Sequence, residues 1–264
     1  MLIESLATED ISQVSSIQPE GWQPITPSFQ FYLQSPFCFP LKCTIDEQLV
    51  GLGATILHNQ TAWLAHIIVS PAHRNKGIGT QITKALIQIA EKYYCKTILL
   101  LATTLGEPVY AKLGFKKEMD YIFLQNGKVE KQSDQVTHSY DETYRKSILK
   151  LDRMVSGEDR SKILIPHLTN ARMVIHDEKI GGVYLPTLGE GLVIAENEKS
   201  GIALLTERLS DKSSVALPTE NSTAIAFLIT QGYSEFLRGS RMYLGEKLSW
   251  QPTKLYSRIG GNLG

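Results

Sequence analysis

The chain has 264 residues, with 27 basic against 27 acidic side chains and a formal net charge of zero, which is room for about two domains of ordinary size. With no overall field to hold nucleic acid or an anionic membrane surface, any anion binding must be local. Three cysteines, Cys38, Cys43 and Cys95, are odd in number and lack metal-ligand spacing. They suit reduced structural thiols in a cytoplasmic protein with no bound metal. The acidic start MLIESLATED has no basic n-region and no long apolar run, so neither a signal peptide nor a membrane span is expected.

In chain order the text predicts a helix near Asp10 to Ile17, a Trp/Pro-rich loop PEGWQPITP, and a second helix from Ser28 to Gln34. Three strands follow, PLKCTID, LVGLGATILH and TAWLAHIIVS, divided by the turn-like DEQ and HNQ. Ile78, Ile82, Ala85, Leu86, Ile89, Ala90 and Tyr93 then recur at the spacing of an amphipathic helix. After it come the β-rich KTILLLAT, a short helix around Pro108 to Lys112, and GFKKEMDYIFLQ as closing strands. Residues 126–140 turn polar, and a domain boundary is expected there, with domains over 1–126 and 141–264 and a linker over 127–140. The second half opens on the helical DETYRKSILKLDRMV and continues with RMVIH, IGGVYLP and GLVIA as strands.

The second half also echoes the first. Thr103, Tyr110, Gly114 and Phe115 follow one strand, and Asn221, Leu228, Gly232 and Tyr233 follow another, in the same steps of seven, four and one residues. Two divergent copies of one fold are expected.

The first turn of the long central helix is poorly chosen for stability. Gly costs about 1 kcal/mol relative to Ala inside a helix, so Gly77 and Gly79 call for another reason. Arg74 and Lys76 bring cations to a helix end that already offers free N–H groups and the positive pole of the dipole. That combination makes an anion site, with phosphate the expected anion. A Walker A loop lacks its Lys-Ser/Thr here, since Thr80 and Gln81 follow Gly79. A dinucleotide fingerprint lacks its third glycine, because Ile82 stands there, and SPAHR intervenes after the strand. A further alternative is that both glycines only let the helix pack closely on the sheet.

VSPAHRNKGIGTQI resembles the acyl-CoA pyrophosphate loop of the GNAT superfamily of N-acyltransferases, with Arg74, Gly77 and Gly79 on its Arg-x-x-Gly-x-Gly pattern and Val69 and Pro71 on its flank. VYAKLGF matches the family's second motif, a helix tyrosine at Tyr110 followed by Leu113, Gly114 and Phe115. Thr103 stands where many members carry Asn. The whole arrangement is similar to the YitH-like group, a GNAT domain followed by a degenerate one.

The resemblance implies an α/β fold of two tandem GNAT-like domains, each a central mixed sheet flanked by helices. It implies acetyl-CoA as co-substrate, its pantetheine amides on the backbone of Ile67, Ile68 and Val69 and its pyrophosphate on Arg74, Asn75, Lys76, Gly77, Ile78, Gly79 and Thr80. The reaction implied is direct attack of a small-molecule primary amine on the thioester, with a strand N–H near Ile68 on the oxyanion and Tyr110 as the acid for the leaving thiolate. His66 is a candidate base on the right strand, although strict alternation would turn it from the side of Trp63 and Ala65. Trp22 is a candidate acceptor-site residue, and the second copy, which lacks the loop and has Leu228 for the tyrosine, is expected to wall that site or mediate a homodimer. The competing readings are a non-catalytic acyl-CoA sensor and an enzyme acetylating a protein N-terminus or lysine. No nucleic-acid or membrane partner is expected.

Overall fold

The computed structural model of the chain describes residues 1–129 and 137–264; the rest of the expected linker, 130–136, lies outside them. The elements run β1 (Leu2–Ser5), α1 (Ile11–Val14), α2 (Thr26–Gln34), β2 (Cys38–Ile45), β3 (Gln48–His58), β4 (Thr61–Val69), α3 (Ile78–Lys92), β5 (Thr97–Ala102), α4 (Glu107–Lys112) and β6 (Lys116–Gln125). They continue with β7 (His138–Ser139), α5 (Arg145–Ser156), α6 (Ser161–Leu164), β8 (Arg172–His176), β9 (Lys179–Leu185), β10 (Leu192–Ala195), α7 (Glu198–Leu209), β11 (Ser214–Pro218), α8 (Ser222–Thr230), β12 (Ser234–Gly245) and β13 (Leu255–Ser257).

Two compact units emerge, and neither follows a single cut in the chain. The first holds Met1–Lys117 with Met242–Lys247, the second Glu118–Arg241 with Leu248–Gly264. The linear division at 126 and 141 therefore assigns β6 and the end of β12 differently from the compact units.

In the first unit the strands run β1-β2-β3-β4-β5, with the end of β12 beside β5. β1 to β4 are antiparallel neighbours, whereas β5 is parallel to β4. α3 follows from its pattern: Ile78, Ile82, Leu86 and Ala90 fall four apart, on one face, and all are buried. That face closes the core formed by Leu41, Val50, Leu64, Leu100 and Phe115, and Met242 of β12 belongs to the same core. Burying a Leu or Ile side chain is worth about 1.5–3 kcal/mol, so this face holds α3 on the sheet despite its poor first turn.

The second unit carries β13-β10-β9-β8-β7 as one sheet, and its residues of β12, β6 and β11 as neighbouring strands of another. α7 and α8 pack on a core that includes Tyr184, Leu204, Leu217, Leu228 and Tyr256. Two fully buried ion pairs, Arg160 with Asp152 and Arg241 with Glu118, fix α5 and β6 within it. The internal echo is visible in matching turns: the Phe115 N–H donates to the Tyr110 carbonyl at 3.1 Å, and the Tyr233 N–H to the Leu228 carbonyl at 3.0 Å.

Candidate active site

β4 and β5 pair only at Thr61, Ala62 and Trp63 against Thr97, Ile98 and Leu99. Beyond that point the two strands part, and the backbone of β4 from residue 64 onward lacks β5 as a partner. The parting leads to the loop before α3. There the Arg74 guanidinium folds back to the Val69 carbonyl at 3.2 Å and the Lys76 ammonium to the Ala72 carbonyl at 3.2 Å. These bonds hold two cations around the start of the helix.

Gly77 is the N-cap of α3 with φ of 80°, the left-handed conformation that glycine adopts at no cost, and no side chain caps the helix. The first-turn N–H groups of Ile78, Gly79 and Thr80 have no preceding turn to accept them. A Cβ at Gly77 would meet no protein atom within 4 Å, and one at Gly79 only the Val69 methyl at an ordinary 3.6 Å. The alternative that both glycines only let the helix pack closely on the sheet loses its ground, because among the described residues nothing crowds either of them. The space beside both glycines is open, and it fits a group that approaches backbone closely. Arg74, Asn75 and Lys76 are exposed beside it, and Asn75 also takes a positive φ of 61°.

Tyr110 lies on α4, half-buried against Phe115, with ring centroids 6.0 Å apart. Burial pushes its phenol up to about 12, so the hydroxyl keeps its proton throughout the neutral range. Thr103 starts the same turn, its Oγ1 accepting from the Gly106 N–H at 3.3 Å and its carbonyl from Glu107 at 3.0 Å.

His66 departs from the strict alternation expected of its strand. Ala54 faces Ala65 while Leu52 faces Ile68, so Gly53 stands opposite two residues of β4, and His66 has φ of 47°. This is a β-bulge, which re-aims a side chain and leaves one residue unpaired in the ladder. The ring enters a cluster with Trp22, Phe29 and Tyr32, at centroid distances of 6.3, 5.7 and 5.8 Å. Its Nδ1 lies 2.8 Å from the Tyr32 hydroxyl. Burial lowers its pKa to about 4, so the imidazole is neutral at pH 7. Trp22 is partly exposed at the rim of this cluster. The structure brings together Trp22 and His66, which lie apart in the sequence, and adds Tyr32, whose only signal in the sequence is an aromatic residue in α2.

Among the described residues no group of three or more His, Cys, Asp or Glu side chains gathers as a metal site, and no helix is long and apolar enough to cross a membrane.

A Pyrococcus horikoshii protein with a provisional acetyltransferase assignment is 21% identical, covering 100% of this chain and 95% of its own, with a TM-score of 0.87. A tandem GNAT protein from the clavulanic acid biosynthesis pathway is 14% identical over 94% of this chain and 99% of its own, with a TM-score of 0.65. At these identities the likeness establishes a shared fold, a mixed α/β architecture with a mixed central sheet flanked by helices. No curated protein matches the chain. The profile of the acetyltransferase (GNAT) family matches residues 6–115, the stretch that carries the parted strands, the glycine-led helix and Tyr110, and marks a GNAT acetyltransferase domain there.

Proposed function

We propose that the protein is an acetyl-CoA-dependent N-acetyltransferase that acetylates the primary amine of a small molecule, with one working site in the first unit. The observation that carries the reading is the uncapped start of α3, where Gly77 and Gly79 leave room that no protein atom uses. Phosphate oxygens are the expected guests of such a helix end. Arg74 and Lys76 supply the counter-charge, and the stretch of β4 through Ile67, Ile68 and Val69, which has no β5 partner, offers backbone groups on that side for an amide-bearing arm.

Bound there, the thioester supplies an acetyl group and a thiol leaving group. The chain's residues do the rest. The bulge leaves His66 and Ile67 without register partners in the β3 ladder, next to the paired Ile68, and a strand N–H near Ile68 would stabilise negative charge growing on the acetyl oxygen. As the new C–N bond forms and the C–S bond breaks, Tyr110 donates its hydroxyl proton to the departing sulfur. His66, with a pKa near 4, is too weak a base to strip an alkylammonium. It serves better as a neutral hydrogen-bonding group in the aromatic wall made by Trp22, Phe29 and Tyr32, while water removes the amine's proton.

The test is release of free thiol from acetyl-CoA in the presence of a panel of small amines. Amine-dependent release is the expected result, and Tyr110→Phe should lower kcat by roughly 10²-fold or more with little change in acetyl-CoA affinity, because general acid catalysis contributes about 10² to 10⁴. CoA binding without thiol release for any amine would make the protein a binding module instead. Turnover by the Phe variant within a factor of about three would leave Tyr110 with packing alone.

A further inference from the structure

We infer that the second unit keeps a strand-binding groove in place of a cofactor cleft, and that its ligand is an extended peptide supplied by the chain's own C-terminal segment, residues 255–259. In the first unit the gap follows the end of β4, beside β5 and the start of α3. The matching positions in the second unit are the end of β10, beside β11 and the start of α7. There the gap is filled. β13 pairs antiparallel with β10, Ser257 against Val193 and Leu255 against Ile194. On its other side the Arg258 N–H donates to the Ala216 carbonyl of β11 at 3.2 Å. The segment thus bonds by backbone to the strands on both sides.

Three further contacts fit this occupant. Asn221, the counterpart of Thr103 in the internal echo, donates from Nδ2 to the Leu255 carbonyl at 3.0 Å while its Oδ1 caps α8 through the Ala224 N–H. Tyr256 packs against α7, where a Cβ on Gly201 would come within 2.1 Å of its ring. Arg258 is clamped by a two-point ion pair to Glu190 and stands 4.6 Å over the Phe123 ring. The side chains of Leu255, Tyr256, Ser257, Arg258 and Ile259 are all buried.

The chemistry at the mouth is the reverse of the first unit's. α7 is capped by Asn197, which accepts from the Ser200 N–H at 2.9 Å, so its end is already satisfied. Glu196, Glu198 and Glu220 line this mouth, with Glu198 held by the Thr223 hydroxyl and Glu196 by Lys254. The cavity left there is about 200 Å³, below the roughly 300–1,000 Å³ typical of small-molecule sites, and its carboxylates repel a pyrophosphate.

The experiment uses the full chain with a protease site inserted between Lys247 and Leu248, so that the C-terminal segment can be nicked in place. The segment should remain bound after nicking and exchange, one per chain, with a labelled synthetic peptide of residues 251–264. The same peptide N-methylated at the Arg258 amide should compete at least ten-fold less well, because it loses only the N–H that reaches β11. In the intact protein, Asn221→Ala should speed amide exchange across 255–259 by at least ten-fold and leave the first unit's strands unchanged. Calorimetry on the unmodified protein should give no more than one CoA site. Equal competition by the N-methylated peptide, rapid exchange of 255–259 in the unmodified protein, or a second CoA site would each overturn the inference.

Discussion

His66 illustrates how one backbone angle changes what a residue can do. On a regular strand its ring would alternate away from Trp63 and Ala65; at the bulge, with φ of 47°, it joins Trp22, Phe29 and Tyr32. A bulge is set by pairing with another strand and by packing beneath it, so a local reading of TAWLAHIIVS by period two misses it. The place of Tyr110 on a short helix beside Phe115 was legible, because it hangs on a short motif, and that of Tyr32 was not, because its hydrogen bond reaches a histidine 34 positions away. The lowered pKa of His66 has a consequence for stability. Between pH 6.5 and about 4 the unfolded chain takes up a proton that the folded chain refuses. The stabilisation is therefore complete above 6.5 and is lost as pH falls through the folded value. Urea unfolding of His66→Gln should accordingly lose less stability than the parent chain over that interval, and the parent imidazole should titrate near pH 4 by NMR. Parallel stability–pH curves for the two proteins would contradict a buried neutral imidazole.

At the scale of elements, α3 and α7 each follow a strand of their own unit but begin in opposite ways. α7 begins with Asn197 as a side-chain cap and Glu198 in its first turn, both favourable choices for a helix end. α3 begins with a left-handed glycine, no cap and no acidic residue. The cost to α3 was readable in the sequence, and so was the inference that an anion completes it; that the protein itself leaves Gly79 uncrowded needed coordinates. This yields a prediction of opposite signs. Leu is among the better helix formers, so Gly79→Leu should raise stability by up to about 1 kcal/mol, read as a small rise in Tm. The same side chain would fill the space over the helix N–H groups, and CoA affinity measured by calorimetry should fall by at least ten-fold. A variant that is destabilised, or that binds CoA as well as the parent, would mean that Gly79 answers to some contact within the protein.

The two compact units do not correspond to two lengths of chain, and this was the least legible feature of the sequence. Hydrophobic pattern marks a strand but not its distant partner, and the closing strand of the first unit arrives from the far end of the chain. Met242 is buried in that unit's core, the Glu246 N–H donates to the Lys96 carbonyl at 2.9 Å, and the Thr97 hydroxyl donates to the Glu246 carbonyl at 2.7 Å. Without Met242–Lys247, β5 becomes an open edge with a hole in the core beneath it, and an unpaired apolar edge is a template for aggregation. Removing a buried Met side chain costs about 2–5 kcal/mol, a large share of the 5–15 kcal/mol that holds a typical domain together. A fragment of residues 1–126 should therefore be poorly soluble or unfold without a cooperative transition, even though it contains every residue of the anion site. Grafting residues 241–247 onto that fragment through a flexible linker should restore a cooperative thermal transition and, with it, CoA binding. A bare fragment that melts cooperatively at the temperature of the full chain would show that the borrowed strand is dispensable, and the first unit would then be a domain in the ordinary, linear sense.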